Sequence, residues 1–237
     1  MYKLFIIIFL FIFSFINSMF NLNEIYPKHV INLNIINIIH KTNNSEDKPL
    51  CVFGVLENDN GLNIEKEMLK WLIPEYNVYI VYQKYPGKLF EYPALRFAQW
   101  ILKKKNETFL LYLHSKGASH PNRSKNIQMI VRKLWKHEYS GDNKNKYINA
   151  ILTNKTDVAT MFSYQRKKTW FNGFFVSQRA FNIIGKVKIK KRMYYEIMFG
   201  KTKARVLGIL SNKVKNSHAA ARKFFRLFQL DNKKTDL

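Results

Sequence analysis

The residues best equipped for chemistry stand together in "FLLYLHSKGAS", residues 109–119. Phe109 to Leu113 run without polar alternation into His114, Ser115, Lys116 and Gly117. An unbroken apolar run of this length is the pattern of a buried strand, so the polar cluster falls where that strand emerges. There a ring N–H and a lysine ammonium can stabilise charge on a diphosphate, while Gly117 lets the backbone approach it closely. The alternative is a histidine satisfied by a backbone carbonyl beside a lysine turned to solvent. Spacing alone leaves both open.

Something must position that cluster, and the flanking sequence supplies it. "CVFGVLEN" from Cys51 and "NVYIVYQ" from Asn77 read as strands. Between them "GLNIEKEMLKWLI" sets Leu62, Glu65, Met68, Leu69 and Leu72 at helical spacing and stops at Pro74. "EYPALRFAQWILKKK" has Pro93 near a first helical turn, aligns Leu95, Ala98, Ile101 and Leu102, and ends in three lysines that suit a helix C-terminus. Residues 124–139 and 144–154 look helical, "DVATMFS" reads as a further strand, and "WFNGFFVSQRAFNII" as a strand or loop entering a helix. Alternating elements with short connections predict an α/β domain, a mostly parallel sheet flanked by helices. In such sheets ligands sit beyond the carboxyl ends of the strands, near a switch in strand order. His114, Ser115 and Lys116 fall at one such end.

The chain has 237 residues, 47% of them hydrophobic, with 40 Lys and Arg against 16 Asp and Glu for a formal charge of +24. That is enough apolar material for a substantial core. The charge favours an anionic partner, although joint enrichment in Lys, Asn and Ile is also what an A- and T-rich coding sequence yields. At the N-terminus Lys3 precedes an apolar run from Leu4 to Ile16. This fits a signal peptide core of about 7–15 residues better than the roughly 20 that span a bilayer. Residues 1–20 are therefore expected to be a signal peptide or signal anchor, directing the chain to the secretory pathway, with membrane contact through this segment. Residues 21–48, which include "NLNIINIIHKTNNSEDKP", read as a polar stem or linker. The main domain is expected over 49–210, and a basic C-terminal helix and tail, including "HAAARKFFRLFQL", over 211–237. The lone Cys51 rules out an intrachain disulfide framework. Sequons stand at Asn43, Asn106, Asn122 and Asn154.

Several chemistries lack their residues. The sequence has no Gly-x-Ser-x-Gly elbow, no Gly-Lys-Ser/Thr phosphate loop, no His-Glu-x-x-His helix and no cysteine pair for zinc. Basic runs such as "KVKIKKR" could attract nucleic acid, but a signal segment would carry the chain away from it, so no nucleic-acid partner is expected.

Taken in order, "EYPALRFAQWILKKKNETFLLYLHSKGAS", "VRKLW", "TDVATMF", "WFNGFFVSQRAF" and "RMYYEIMFG" resemble blocks of uncharacterised GT-A-like glycosyltransferases. Those proteins carry a "YLHTKG" strand end and an "HFSGNFWW" block, and are related to rhamnan-synthesis-type enzymes. The resemblance covers roughly residues 51–200 and implies a GT-A-like, Rossmann-like fold. It also implies a nucleotide-sugar donor and a glycan or protein acceptor. Block by block it points to Glu91, His114, Lys116, Gly117, Arg132, Asp157, Asn172, Gly173 and Glu196. Donor binding would fall to His114, Lys116, Gly117, Arg132, Asn172 and Gly173, with Gly173 relieving crowding against a sugar and Asn172 bonding hydroxyls. Glu196, ahead of Asp157, would serve as the general base for an acceptor hydroxyl; the alternative for either is a structural hydrogen-bond acceptor. Where the family block has His and Trp-Trp, this chain has Trp170 and Phe175 with Val176. Transferases of this fold commonly hold Mn or Mg with Asp-x-Asp; here only Glu57-x-Asp59 comes near it, and no metal residues are assigned. A catalytically degenerate sugar-binding protein is the competing reading.

Overall fold

The computed structural model describes residues 20–31, 36–41, 48–84, 89, 91–115, 118, 125–165, 168–169, 173–190 and 193–235. In chain order these form α1 (Leu22–Ile25), α2 (Lys28–Ile31), β1 (Ile36–Lys41), β2 (Leu50–Glu57), α3 (Asp59–Glu75), β3 (Asn77–Lys84), α4 (Tyr92–Lys105), β4 (Phe109–His114) and α5 (Lys125–Glu138). A 3-10 turn (Gly141–Lys144) leads into α6 (Asn145–Leu152), β5 (Val158–Phe162), β6 (Phe174–Ser177), α7 (Gln178–Ile184), α8 (Met193–Ile197), β7 (Val206–Ser211) and α9 (Ser217–Thr235).

The strands make one seven-stranded sheet in the order β1-β3-β2-β4-β6-β5-β7. Strands β2, β3, β4, β5 and β7 run one way, as expected of a mostly parallel sheet, and β1 and β6 are reversed, which makes it mixed. Side chains alternate between two cores, as the pleat requires. Val52, Leu110, Tyr112 and Phe174 face α4, with Leu95, Ala98 and Ile101. Cys51, Phe53, Leu111, Leu113 and Phe175 face α3 and α5, with Met68, Leu72, Val131 and Trp135. Burial on both faces is why the central strands read as continuous apolar runs. Helix α4 stops at Asn106, whose left-handed backbone (φ 55°) turns its N–H onto Leu102 O and Lys103 O, beside the three terminal lysines.

Two expected boundaries move. Residues 21–48 do not form a separate stem where they are described. Tyr26, Val30 and Ile38 are buried, the Tyr26 hydroxyl donates to Pro93 O at 2.8 Å, and β1 pairs with β3 from Ile36↔Gln83 to Lys41↔Val78. The Asn-rich average hid the few apolar side chains that join the core. The first half of α9 also belongs to the domain, with Ala221 buried and Phe224 lying 5.2 Å from Phe162 between ring centroids. No described helix is long and apolar enough to cross a membrane, and the signal segment expected at the N-terminus lies, through residue 19, outside the described residues.

Candidate functional site

From β2 the chain passes through α3 on one face to β3; from β3 it returns through α4 on the other face, over β2, to β4. Connections on either side of the β2/β4 pair thus leave in opposite directions, and in open α/β sheets such a switch point, at the carboxyl ends of the strands, is where ligands bind. His114, the last residue of β4, pairs there with Gly54 of β2. A side chain at position 54 would put its Cβ 2.9 Å from the Ala94 Cβ, so glycine is what allows α4 to start this close to the rim.

The turn after β4 is tied down by backbone-directed bonds. Ser115 N–H donates to Gly54 O at 2.7 Å, and Ser115 Oγ accepts the Leu56 N–H at 3.0 Å. The Asn58 side chain caps α3 by accepting the Gly61 N–H at 2.7 Å and donates to Ala118 O at 3.1 Å. Ser115, only 7% exposed, therefore fastens β2 to β4. The His114 ring is partly exposed, stacked on Tyr112 at 6.5 Å and edge-on to Trp135 at 6.0 Å. Lys116, Gly117 and Asn172 lie outside the described residues.

Gly173 leads into β6, which begins at this same rim because it is reversed. A Cβ on Gly173 would fall 2.4 Å from Nε1 and Cε2 of Trp135. The crowding that glycine relieves here is against an indole of the protein itself, where the sequence suggested a sugar. Gly173 O accepts hydrogen bonds from Tyr139 Oη at 2.8 Å and Thr160 Oγ1 at 3.1 Å. Trp135 is wholly buried, and its indole N–H has no partner among the described residues. It is the common neighbour of His114 and Gly173.

Two carboxylates reach the rim. Glu196, on α8, is fixed through its carbonyl, which accepts the Thr169 N–H at 2.8 Å; Thr169 pairs with Ser163, just past β5. Its Oε2 is shut from solvent and unbonded among the described residues. Glu91 directly precedes α4 and acts electrostatically on the hydroxyls of Tyr112 and Tyr195.

Asp157 is not with them. It precedes β5, at the opposite edge of the sheet, and accepts the Arg205 N–H at 2.7 Å and Arg205 Nε at 3.2 Å, with Arg179 Nε at 3.5 Å. Burial alone would raise its carboxyl, but the Arg205 hydrogen bonds and charge, with Arg179, outweigh that and hold it below the usual carboxylate range. It anchors β7 and α7 and is poorly suited to act as a base for chemistry at the His114 rim. Arg132 also differs from expectation: its guanidinium, 12% exposed, directs Nε to Glu67 Oε2 on α3 at 3.1 Å.

Among the described residues no group of His, Cys, Asp and Glu is disposed to hold a metal ion. Glu57 is exposed at the end of β2, and Asp59, also exposed, opens α3. The residues that sequence reasoning missed are Trp135, Tyr139, Thr160 and Tyr112. Each reads as ordinary core; Trp135, Tyr112 and Thr160 stood in blocks that attracted notice, but as apolar or strand positions and not as site residues. Compared with protein families, curated proteins and solved structures, the chain matches none.

Proposed function

We propose that the protein is a glycosyltransferase, moving a sugar from a nucleotide-sugar donor to a glycan or protein acceptor, on a GT-A-like variant of the Rossmann-like sheet. The observation that carries the reading is the shared position of His114, Gly173 and Glu196 at the carboxyl rim beside the β2/β4 switch. The order of the resembling sequence blocks supports it independently.

In this reading the donor diphosphate lies against His114, whose ring N–H donates to a phosphate oxygen, with Lys116 adding charge. The acceptor hydroxyl bonds to the anomeric carbon as the bond from that carbon to the diphosphate oxygen breaks. The nucleoside diphosphate leaves with the electron pair, and the hydroxyl proton passes to Glu196. Among the described residues no group of three or more His, Cys, Asp and Glu is gathered for a metal, and no step is routed through one.

The test is titration of the full chain with UDP-glucose, UDP-galactose, UDP-N-acetylglucosamine, GDP-mannose and GDP-fucose, followed by donor turnover. Binding with turnover, lost together in His114→Ala, is the expected result. No binding to any donor overturns the proposal, and binding without turnover replaces it with a sugar-binding protein that has lost catalysis.

A further inference from the structure

Helix α9 carries three cations that the fold does not engage. Its inward face holds Ala221, which is buried, Phe224 against Phe162, and Phe225 at 5.8 Å from Lys133 Nζ of α5. Its other face holds Ala219, Arg222, Lys223, Arg226 and Leu227, which follow one another by helical turns and are all exposed. No ion pair among the described residues involves any of the three cations. The five residues line an open hollow of about 420 Å³ whose walls are mostly aliphatic. Arginine and lysine stems supply part of that wall, since such side chains lay their methylenes along apolar surface and keep their charged heads in water. Leu227, 47% exposed, supplies more of it. The face is therefore apolar in its floor and positive at its rim.

We infer that this face of α9 docks on an anionic membrane surface. The chain's charge of +24 attracts any polyanion at long range, so net charge does not choose the partner. The hollow does. Nucleic-acid phosphates would engage the three cations but leave Ala219 and Leu227 in water. A bilayer with acidic headgroups engages both parts. The cations meet headgroup oxygens while Leu227 enters the boundary with the acyl chains, as in a helix lying in the interface plane. Each cation near such a surface strengthens binding roughly fivefold, and the three together roughly a hundredfold. The inference does not depend on the nucleotide-sugar reading above.

The experiment uses the full chain with Leu227→Cys, labelled there with an environment-sensitive fluorophore; Cys51 is wholly buried and does not compete for the label. Vesicles of phosphatidylcholine alone, or with one third phosphatidylserine, are titrated in. The label reports on α9 itself, whatever the apolar N-terminal run does with lipid. A blue shift on the anionic vesicles only is expected, reversed by salt at about 1 M, where charges are screened within about 3 Å. Replacing Arg222, Lys223 and Arg226 together by Gln should raise the lipid concentration at half-maximal shift roughly a hundredfold. Replacing Lys103, Lys104 and Lys105 together by Gln removes the same charge from exposed positions at the end of α4, on the opposite face of the sheet. That variant should change the midpoint by less than about threefold. Equal losses in the two triple variants overturn the proposal, because overall charge then accounts for binding. A label that stays in water with both vesicles, or shifts equally with both, overturns it as well. A shift on a duplex oligonucleotide, with none on anionic vesicles, transfers the face to nucleic acid and likewise overturns it.

Discussion

Gly173→Ala tests whether the glycine is required by the protein or by its ligand. The added carbon would lie 2.4 Å from Nε1 and Cε2 of Trp135 and 2.7 Å from Cζ2, where carbon rests at about 3.5–4.0 Å. Either the indole or the backbone must therefore shift by about 1 Å. The indole is wholly buried, and the backbone is held by Tyr139 and Thr160 at 2.8 and 3.1 Å through Gly173 O. Overpacking costs about 1–3 kcal/mol, and weakening one of those bonds adds about 1 kcal/mol. The expected destabilisation is about 2–4 kcal/mol, a fall in Tm of roughly 5–15 °C for a chain of this size. Urea and thermal unfolding of Gly173→Ala, alone and combined with Trp135→Phe, provide the assay. In the Trp135→Phe background the alanine should cost far less, because the atoms it meets are gone. A coupling below about 0.5 kcal/mol, or a Gly173→Ala protein as stable as the parent, would refute the reasoning.

Asp157→Asn should lower stability at pH 7 by about 1–3 kcal/mol, after discounting for arginines that are 44% and 60% exposed. Because the folded carboxyl is held low, its contribution is complete above the unfolded value of about 3.9 and is lost as pH falls through the folded one. The gap between parent and variant should accordingly close below pH about 4, and a gap that persists to pH about 2 in chemical denaturation would contradict this. Arg132→Ala removes an ion pair with a half-exposed Glu67. It should change stability by at most about 1 kcal/mol and leave nucleoside diphosphate affinity unaltered by calorimetry; a tenfold loss would return Arg132 to the site. Cys51 is wholly buried and its thiol is pushed up by that burial. A thiol reagent at pH 8 should react only as fast as the chain unfolds, and rapid reaction under native conditions would show the β2 core to be accessible.

The central strands and the helices between them were legible because burial on both faces leaves an apolar run, and helical spacing survives in α3 and α4. Strand β6 was only half legible: four residues of "FFVS" give no cue to their direction, which depends on the neighbours on either side. Strand β1 was lost because Asn37, His40 and Lys41 dilute Ile36, Ile38 and Ile39 in a polar stretch. At the site, His114 was legible because a polar residue ending an apolar run is conspicuous. Asp157 misled for a related reason: its sequence marks the start of a strand, and starts lie at the far edge from the ends. Tyr112 and Trp135 were invisible because an aromatic residue in a core pattern announces packing, whereas an unbonded oxygen or nitrogen emerges only from three-dimensional accounting.

Strand β1 and the two short helices before it bear on how the protein can be handled. A chain shortened to begin at Lys48, as composition would have suggested, strips β1 from β3 and leaves Val78 to Gln83 paired only with β2, their other edge open. Tyr26, Val30 and Ile38 go with it, uncovering the α4 side of the core. An open, apolar strand edge recruits other chains, so that fragment is expected to precipitate where a chain retaining residues from Phe20 stays dispersed.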